Sequence, residues 1–313
     1  MNFKLGDLPR GGLHAGLQKR SKLGDDAGFG TKFAEQTAKH TTLGLMIMIS
    51  VIRSGMSAAL SDLDVTSNNI ANAATTGYKK REASFTDVYA DTVAIGVGKR
   101  VGSGVRTPEI RFNGSQGNLK QTGAVLDLAI EGQGMFALRD ENNPGELIYT
   151  RDGAFAVDLD GKISSTEGYK VLSSNGNPIT VPMRAAAAID ANGVEALNDL
   201  PLTGVSVRSD GAVEATYGGN RIFVVAKVGL AGFADANRLT AIGNNLFRQN
   251  GQSGAGVVGE AITDGRGKIH SGALEMSNID MTSELTKLIR AQQTFSGTSR
   301  LLQSETEMVR KFL

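Results

Sequence analysis

The chain has 313 residues, 40% of them hydrophobic, which is enough length for two or more compact units and enough apolar content to bury a core. Its formal net charge is +1, with 33 Lys and Arg against 32 Asp and Glu and no block of five basic residues, so the electrostatic footprint of nucleic-acid binding is missing. With no cysteine there is no disulfide, thiolate metal site or cysteine nucleophile, and His14, His40 and His270 are too few and too scattered for a histidine-based metal or catalytic cluster.

Residues 1–45 hold eight glycines and seven Lys or Arg against four Asp or Glu, with no sustained apolar period. They read as a mobile basic extension or, because Met46 and Met48 stand just ahead of the first helix, as residues upstream of the true start. The apolar run from Leu43 to Ile52 is too short to span a bilayer, which takes about 20 residues, and no small-residue cleavage pattern follows it. Neither membrane insertion nor a cleaved signal is expected.

Residues 46–77 read as a helix. Ile49, Ile52, Met56, Ala59, Leu63, Thr66 and Ile70 alternate in steps of three and four, which keeps one narrow face apolar. The run lacks proline and passes through Asn68, Asn69 and Asn72 to Gly77, a residue suited to the left-handed conformation that closes a helix.

Residues 78–272 read as a β-rich middle domain with connectors. Short strands are predicted at 79–89, 104–112, 126–131, 134–139 and 146–151, separated by Gly, Asn and Pro clusters. Two hairpins follow, 154–164 around Asp160-Gly161 and 205–214 around Asp210-Gly211, because Asp-Gly supplies the positive φ angles of a two-residue turn. A more continuously apolar strand is predicted at 221–230, and the Gly, Asn and Ser-rich stretch 240–268 reads as a long connector.

Residues 273–313 read as the second helix. Met281, Leu285, Leu288, Gln292, Phe295, Ser299, Leu302, Thr306 and Val309 keep the three-four spacing and run on to Phe312-Leu313, a seam of roughly 45 to 50 Å at ~1.5 Å per residue. Asp280 and Glu284 near its start and Arg310 and Lys311 near its end suit the helix dipole. Thirty of the forty glycines lie between Gly77 and Gly272. The fold class that follows is α+β: long N- and C-terminal helices paired as a coiled-coil-like domain, with a glycine-rich β-domain between them.

Motifs with chemical potential fail on spacing. Gly96, Gly98, Lys99 and Gly102 suggest a phosphate cradle, but G-x-G-x-x-G needs glycine at Val101, and a P-loop needs glycine at Val93 and Ser or Thr at Arg100. Asp158 and Asp160 before Gly161 lack the later ligands of a calcium loop. Ser253 is not a nucleophile elbow, since G-x-S-x-G needs glycine at Ala255. No catalytic, metal or cofactor site and no small-molecule substrate is therefore expected.

The helical seams remain. A seam that runs to the last residue exposes apolar surface unless another chain covers it. The expected assembly surface comprises Ile49, Ile52, Met56, Leu63, Asn68, Asn69, Ile70 and Asn72 on the first helix, with Leu285, Leu288, Phe295, Leu302, Val309 and Phe312 on the second. A coiled-coil scaffold with a β binding domain would share this periodicity.

Three separated motifs carry a family resemblance. Asn68-Asn69-Ile70-Ala71-Asn72 followed by Thr76-Gly77-Tyr78-Lys79 resembles the signature of bacterial flagellar axial proteins, the rod and hook subunits. The run Gly272 to Asp280 with Glu284-Leu285 and Ile289 is similar to the entry into that family's C-terminal helix. Leu126 to Ile130, Gly132-Gln133-Gly134 and Tyr149-Thr150-Arg151-Asp152-Gly153 resemble its central β-domain.

The resemblance implies a structural subunit, without enzymatic activity, that associates with itself and with neighbouring rod and hook proteins. It also implies export unfolded through the flagellar type III apparatus, and terminal helices that line a hollow torque-transmitting tube. The short span between Tyr169 and Gly272 suits a rod subunit, whereas Ser54 to Ala59 and Ser84-Phe85-Thr86-Asp87 look more like a hook subunit. Gln292 to Ser296 departs from the family's usual Gln-Arg-Ala-Tyr-Glu.

Overall fold

The computed structural model describes residues 27–90, 101–141, 143, 145–185, 200–218 and 221–312. Helix α1, Ala27–Ala71, starts well before the apolar period, so residues 27–45 are helical where a mobile extension was expected. An established helix adds one hydrogen bond for each further residue it orders, and the Ala, Lys, Glu and Gln of this stretch are good helix formers, so propagation does not require an apolar stripe. The helix runs on apolar past Ile52, and Met46–Ala71 has the length and mean hydropathy, 1.3, of a membrane-crossing segment.

Strands β1, Arg81–Ala90, and β2, Val101–Phe112, form an antiparallel ribbon, with Arg81 opposite Phe112 and Ala90 opposite Val101. The ribbon lies along α1, where Val105 N–H donates to the Ser54 hydroxyl at 3.1 Å. The basic glycine loop at 96–100 lies outside the described residues.

The β-domain begins with β3, Leu119–Gln121, β4, Leu128–Glu131, β5, Met135–Arg139, and β6, Leu147–Thr150. Next come β7, Phe155–Val157, β8, Ile163–Ser165, β9, Lys170–Val171, and β10, Arg184–Ala185. Strands β11, Leu200–Val207, β12, Ala212–Tyr217, and β13, Arg221–Lys227, complete a four-stranded sheet ordered β10-β11-β12-β13.

The chain returns through β14, Leu230–Gly232, β15, Thr240–Gly243, β16, Leu246–Arg248, and β17, Val257–Gly259. These join the larger sheet, which runs β15-β16-β6-β5-β9-β8-β7 with β14 on β5 and β17 on β14. Strand β18, Lys268–Ser271, pairs with β4, and β19, Ala273–Glu275, pairs with β3.

The 240–268 stretch is thus not a plain connector. Asn244 and Asn245, at φ 49° and 58°, make the reversal between β15 and β16, and asparagine tolerates this left-handed region better than most residues. The two Asp-Gly hairpins form, but not by the two-residue turn. Only the glycine of each pair has positive φ, and Gly161 N–H donates to Asp158 O while Gly211 N–H donates to Arg208 O, both at 2.9 Å. The two-residue turns that suit a hairpin need positive φ at both central residues or at the first, here the aspartate, so each loop is longer and closes with glycine in the left-handed position.

The core sits in this domain. Leu128, Ile130, Phe136 and Leu138 are fully buried with Ile163, Val171 and Leu230 around them, each contributing roughly 1.5–3 kcal/mol by burial. Phe136 and Phe155 meet edge to face at 5.1 Å. A second cluster gathers Phe112, Tyr149, Leu172 and Phe247.

Helix α2, Met281–Phe312, closes the chain. Residues 273–275, expected as its first turn, belong to β19, because Ala273 to Glu275 find ladder partners in Gln121 to Leu119. Asp280 starts the helix by accepting from Thr282 N–H at 3.2 Å, which satisfies one of the otherwise orphaned first-turn donors. The two helices pack antiparallel: Asn69 touches Glu284 at one end, and an equal distance along both helices Gly55 faces Thr298.

Candidate functional site

Three stretches far apart in sequence converge where α1 ends. Gly77, at φ +65°, lies so close to the Asp152 backbone that a β-carbon would collide with it, and its N–H donates to Glu275 O at 2.8 Å. A side chain is therefore excluded both by conformation and by space.

From this turn Lys79 enters the β-domain. Its Nζ lies 2.7 Å from Glu275 Oε1, and Arg151 Nη1 lies 3.0 Å from Oε2 of the same carboxylate, with all three side chains buried. Gly117 N–H donates to Glu275 Oε1 at 2.8 Å, Lys79 Nζ to Ser115 O at 2.8 Å, and Arg151 Nη2 to Gly132 O at 2.8 Å. Burial pushes the Lys79 ammonium and the Arg151 guanidinium below their ordinary pKa values, and the Glu275 carboxylate opposes it in both. One carboxylate thus holds two desolvated cations, an arrangement that stays favourable only while all three are present.

Lys80 turns the other way, to α2. Its Nζ forms an ion pair with Glu284 Oε1 at 2.9 Å, and Asn69 Nδ2 donates to Glu284 Oε2 at 3.0 Å. Burial works to raise the Glu284 carboxyl, but Lys80 and Asn69 outweigh it and hold the group below its ordinary value. Asn69 Oδ1 accepts from Arg81 N–H at 2.9 Å while Tyr78 OH donates to Asn68 Oδ1, also at 2.9 Å. Asn278 Oδ1 accepts from Lys80 N–H at 2.8 Å, and its Nδ2 donates to Asn113 O and Ser115 O at 3.0 Å each.

The expected assembly residues divide between this joint and the helix surfaces. Asn69 is buried with both ends of its amide engaged inside the chain, and Asn72 Nδ2 donates to Asn68 O at 2.8 Å. Ile49, Ile52, Met56, Leu63 and Ile70 are half-buried along α1. On α2 the row facing α1 is Glu284, Leu288, Ala291, Phe295, Thr298, Leu302, Glu305 and Val309.

Leu288, Phe295, Leu302 and Val309 therefore stand where the spacing put them, but the alternate positions shift by one residue. Glu284, Ala291, Thr298 and Glu305 replace Leu285, Gln292, Ser299 and Thr306. Thr298 opposite Gly55 allows close approach, Ala291 is small enough to be buried on the same row, and Lys80 and Asn69 draw Glu284 inward. The shift leaves Leu285 46% exposed, beside Ile289 at 55%, with Met281, Leu301 and Met308 also exposed. The Phe312 side chain lies outside the described residues.

The joint residues Lys80, Arg151, Glu275, Asn278 and Glu284 and the exposed Ile289, Leu301 and Met308 were not anticipated as functional. Most of the first group lie inside the three recurring motifs, which was the available signal. Ser253 is fully buried and its hydroxyl donates to Asn250 O at 3.0 Å, so it shapes a loop. Among the described residues no group of His, Asp or Glu side chains is placed to hold a metal. A cleft of about 560 Å³ beside the joint is lined by Lys79, Arg151 and Arg266, but Lys79 and Arg151 are already engaged by Glu275 and Arg266 is paired with Asp264.

Comparison with known proteins places the first and last motifs, and the central one from residue 129 onward, in recognised segments. Residues 49–79 match the model of the flagella basal body rod protein, 129–215 that of the flagellar hook protein FlgE/F/G D1 domain, and 270–313 that of the flagellar basal body rod FlgEFG protein C-terminal segment. The flagellar basal-body rod protein FlgG of Agrobacterium fabrum is 34% identical over 84% of this chain and 97% of its own length. The protein of the same description from Bacillus subtilis is 33% identical over 83% of this chain and 95% of its own. The flagellar hook protein FlgE of Brucella suis biovar 1 is 26% identical over 82% of this chain and 95% of its own, in an alignment stretched to 384 positions against 276 for the Agrobacterium protein.

Proposed function

The chain belongs to the bacterial flagellar rod and hook protein family, and from that premise we propose that it is a structural subunit of the basal-body rod, polymerising into a hollow tube that transmits torque. The rod is favoured over the hook because the rod relatives align nearly end to end at similar length, whereas the hook relative needs a far longer alignment. The subunit carries no enzymatic activity, takes no cofactor or small-molecule substrate and binds no nucleic acid. It leaves the cytoplasm unfolded through the flagellar type III apparatus.

One observation carries the tube-building reading. The β-domain closes its own core, while the helical pair leaves Met281, Leu285, Ile289, Leu301 and Met308 exposed on α2 and Met46 and Leu60 exposed on α1. Those apolar flanks are covered by the helices of neighbouring copies and of other rod and hook subunits, and heterologous contacts that do not close generate a helical filament. The same need accounts for the apolarity of Met46–Ala71 without insertion in a bilayer: its Asp62, Asp64, Asn68 and Asn69 sit in the helix that packs on α2. Ile49, Ile52, Met56, Leu63, Ile70 and Leu285 line the flanks, and Leu288, Phe295, Leu302 and Val309 hold the pair together.

The test is the location of an epitope-tagged chain in fractionated flagella. It is expected in purified basal bodies after the hook and filament are removed. Recovery in the hook fraction alone, or only in the cytoplasm, would contradict the rod assignment.

A further inference from the structure

Neither helix packs substantively on strands β3–β19; α1 meets α2 and the ribbon, and the larger contacts of the β-domain are internal. The two bodies are joined by three crossings of the chain, 72–80, 113–118 and 276–280. The apolar contact between the two bodies lies at the end of the ribbon, where Phe112 packs on Phe247 at 4.8 Å, and crossings with so small a shared core ordinarily make a hinge. Here they are tied to one another instead. Lys79 Nζ binds Ser115 O in the second crossing and Glu275 at the edge of the third. Lys80 N–H donates to Asn278 Oδ1, and Asn278 Nδ2 returns to Asn113 O and Ser115 O.

We propose that the adjacent lysines Lys79 and Lys80 form a two-sided clasp, one anchored on Glu275 of the β-domain and the other on Glu284 of α2, that locks the helical pair to the β-domain in one orientation. Lys79 and Lys80 lie just ahead of β1 and their side chains part to opposite sides, which sends one ammonium to Glu275 and the other to Glu284. Without Lys79, Glu275 keeps Arg151 and Gly117 N–H, so the carboxylate that anchors the β-domain side of the clasp stays held. Without Lys80, Glu284 keeps, among the described residues, the longer ion pair with Lys287 at 3.5 Å. In a rod, and resting on that reading, the clasp passes rotation imposed on the helices to the outer domain without slack.

The exchange of three backbone amides reports the clasp, since Gly77 and Lys80 N–H donate across it to Glu275 O and Asn278 Oδ1, and Arg81 N–H donates on its helical side to Asn69 Oδ1, the same amide that binds Glu284. In the full-length chain carrying Lys79→Met and Lys80→Met, these amides are expected to exchange at least tenfold faster than in the parent while β5 and β6 keep their rates. Unchanged rates at all three, or protection lost equally in β5 and β6, would overturn the clasp. Exchanging the charges, Lys80→Glu with Glu284→Lys, is expected to recover part of the protection lost in Lys80→Glu alone, short of the parent because Asn69 Nδ2 loses its acceptor, and no recovery at all contradicts a lock made by charge. In cells the double Met variant is expected to enter basal bodies yet swim several-fold slower in viscous medium, and full speed at every viscosity would overturn the torque role. Absence of the parent chain from basal bodies would instead refute the rod reading and leave the amide result standing.

Discussion

The β-domain and the helical pair solve burial in opposite ways. In the β-domain Leu128, Ile130, Phe136 and Leu138 are fully enclosed by strands of the same chain. In the helices Ala59, Val65 and Ala291 are the buried apolar residues among those described, and larger side chains such as Leu285 and Ile289 stay in solvent. A module that satisfies its own core is stable alone, whereas one that leaves apolar flanks uncovered is completed by other copies. The polar joint between them belongs to neither type, because its stability rests on charges paired across long sequence separations.

The largest effects are expected where that contrast is sharpest. Glu275→Ala removes the carboxylate between Lys79 and Arg151 and leaves two buried cations unpaired, a loss of about 3–5 kcal/mol, measured by denaturant unfolding of the full chain. Phe136→Ala empties the β-core and should cost about 3–5 kcal/mol by the same assay. Gly77→Ala imposes strain at a left-handed position and a collision with the Asp152 backbone, expected to lose about 1–3 kcal/mol.

Leu288→Asp sits on the row facing α1 and is expected to separate the helices while the β-core stays folded. Circular dichroism and limited proteolysis would then show lost helix and a resistant fragment covering the β-domain; loss of the β-core as well would break the comparison. Proteolysis of the unassembled parent should trim the far ends of both helices before reaching Asn69 or Glu284.

A smaller, pH-dependent effect follows from Glu284. Its carboxyl titrates below the ordinary 4.5 because Lys80 and Asn69 outweigh the effect of burial. A group depressed on folding contributes stability above its unfolded value and loses it as pH falls through the folded one. The joint should therefore loosen below about pH 4.5, faster than the β5 and β6 amides, and Glu284→Gln should flatten that difference. The groups facing this carboxylate are Lys80, Lys287 and Asn69, with Tyr78 close enough to feel its charge and Glu82 on the far side of Lys80.

The two helices and most strands were legible in the sequence because their signals are local: a three-four period, proline-free runs, and glycine or asparagine between short apolar stretches. The phase of α2 was not. Leucine at 285 outranks glutamate at 284 by hydrophobicity alone, yet Lys80 and Asn69, contributed by the other end of the chain, draw the glutamate inward. The joint was visible as three motifs without roles, since nothing local reveals that Lys79 meets Glu275, 196 residues away. Strands β15 to β17 escaped because they are three or four residues long and gain their order from partners such as Thr150 opposite Leu246.

The central claim is that the exposed flank of the helical pair is an assembly surface and contributes little to the fold of the single chain. Leu285→Asp with Ile289→Asp, both at exposed positions, tests it when basal bodies are purified from cells carrying only this variant. The account predicts a secreted chain with an intact β-domain, no incorporation into the rod and no swimming. Normal incorporation and motility would contradict it.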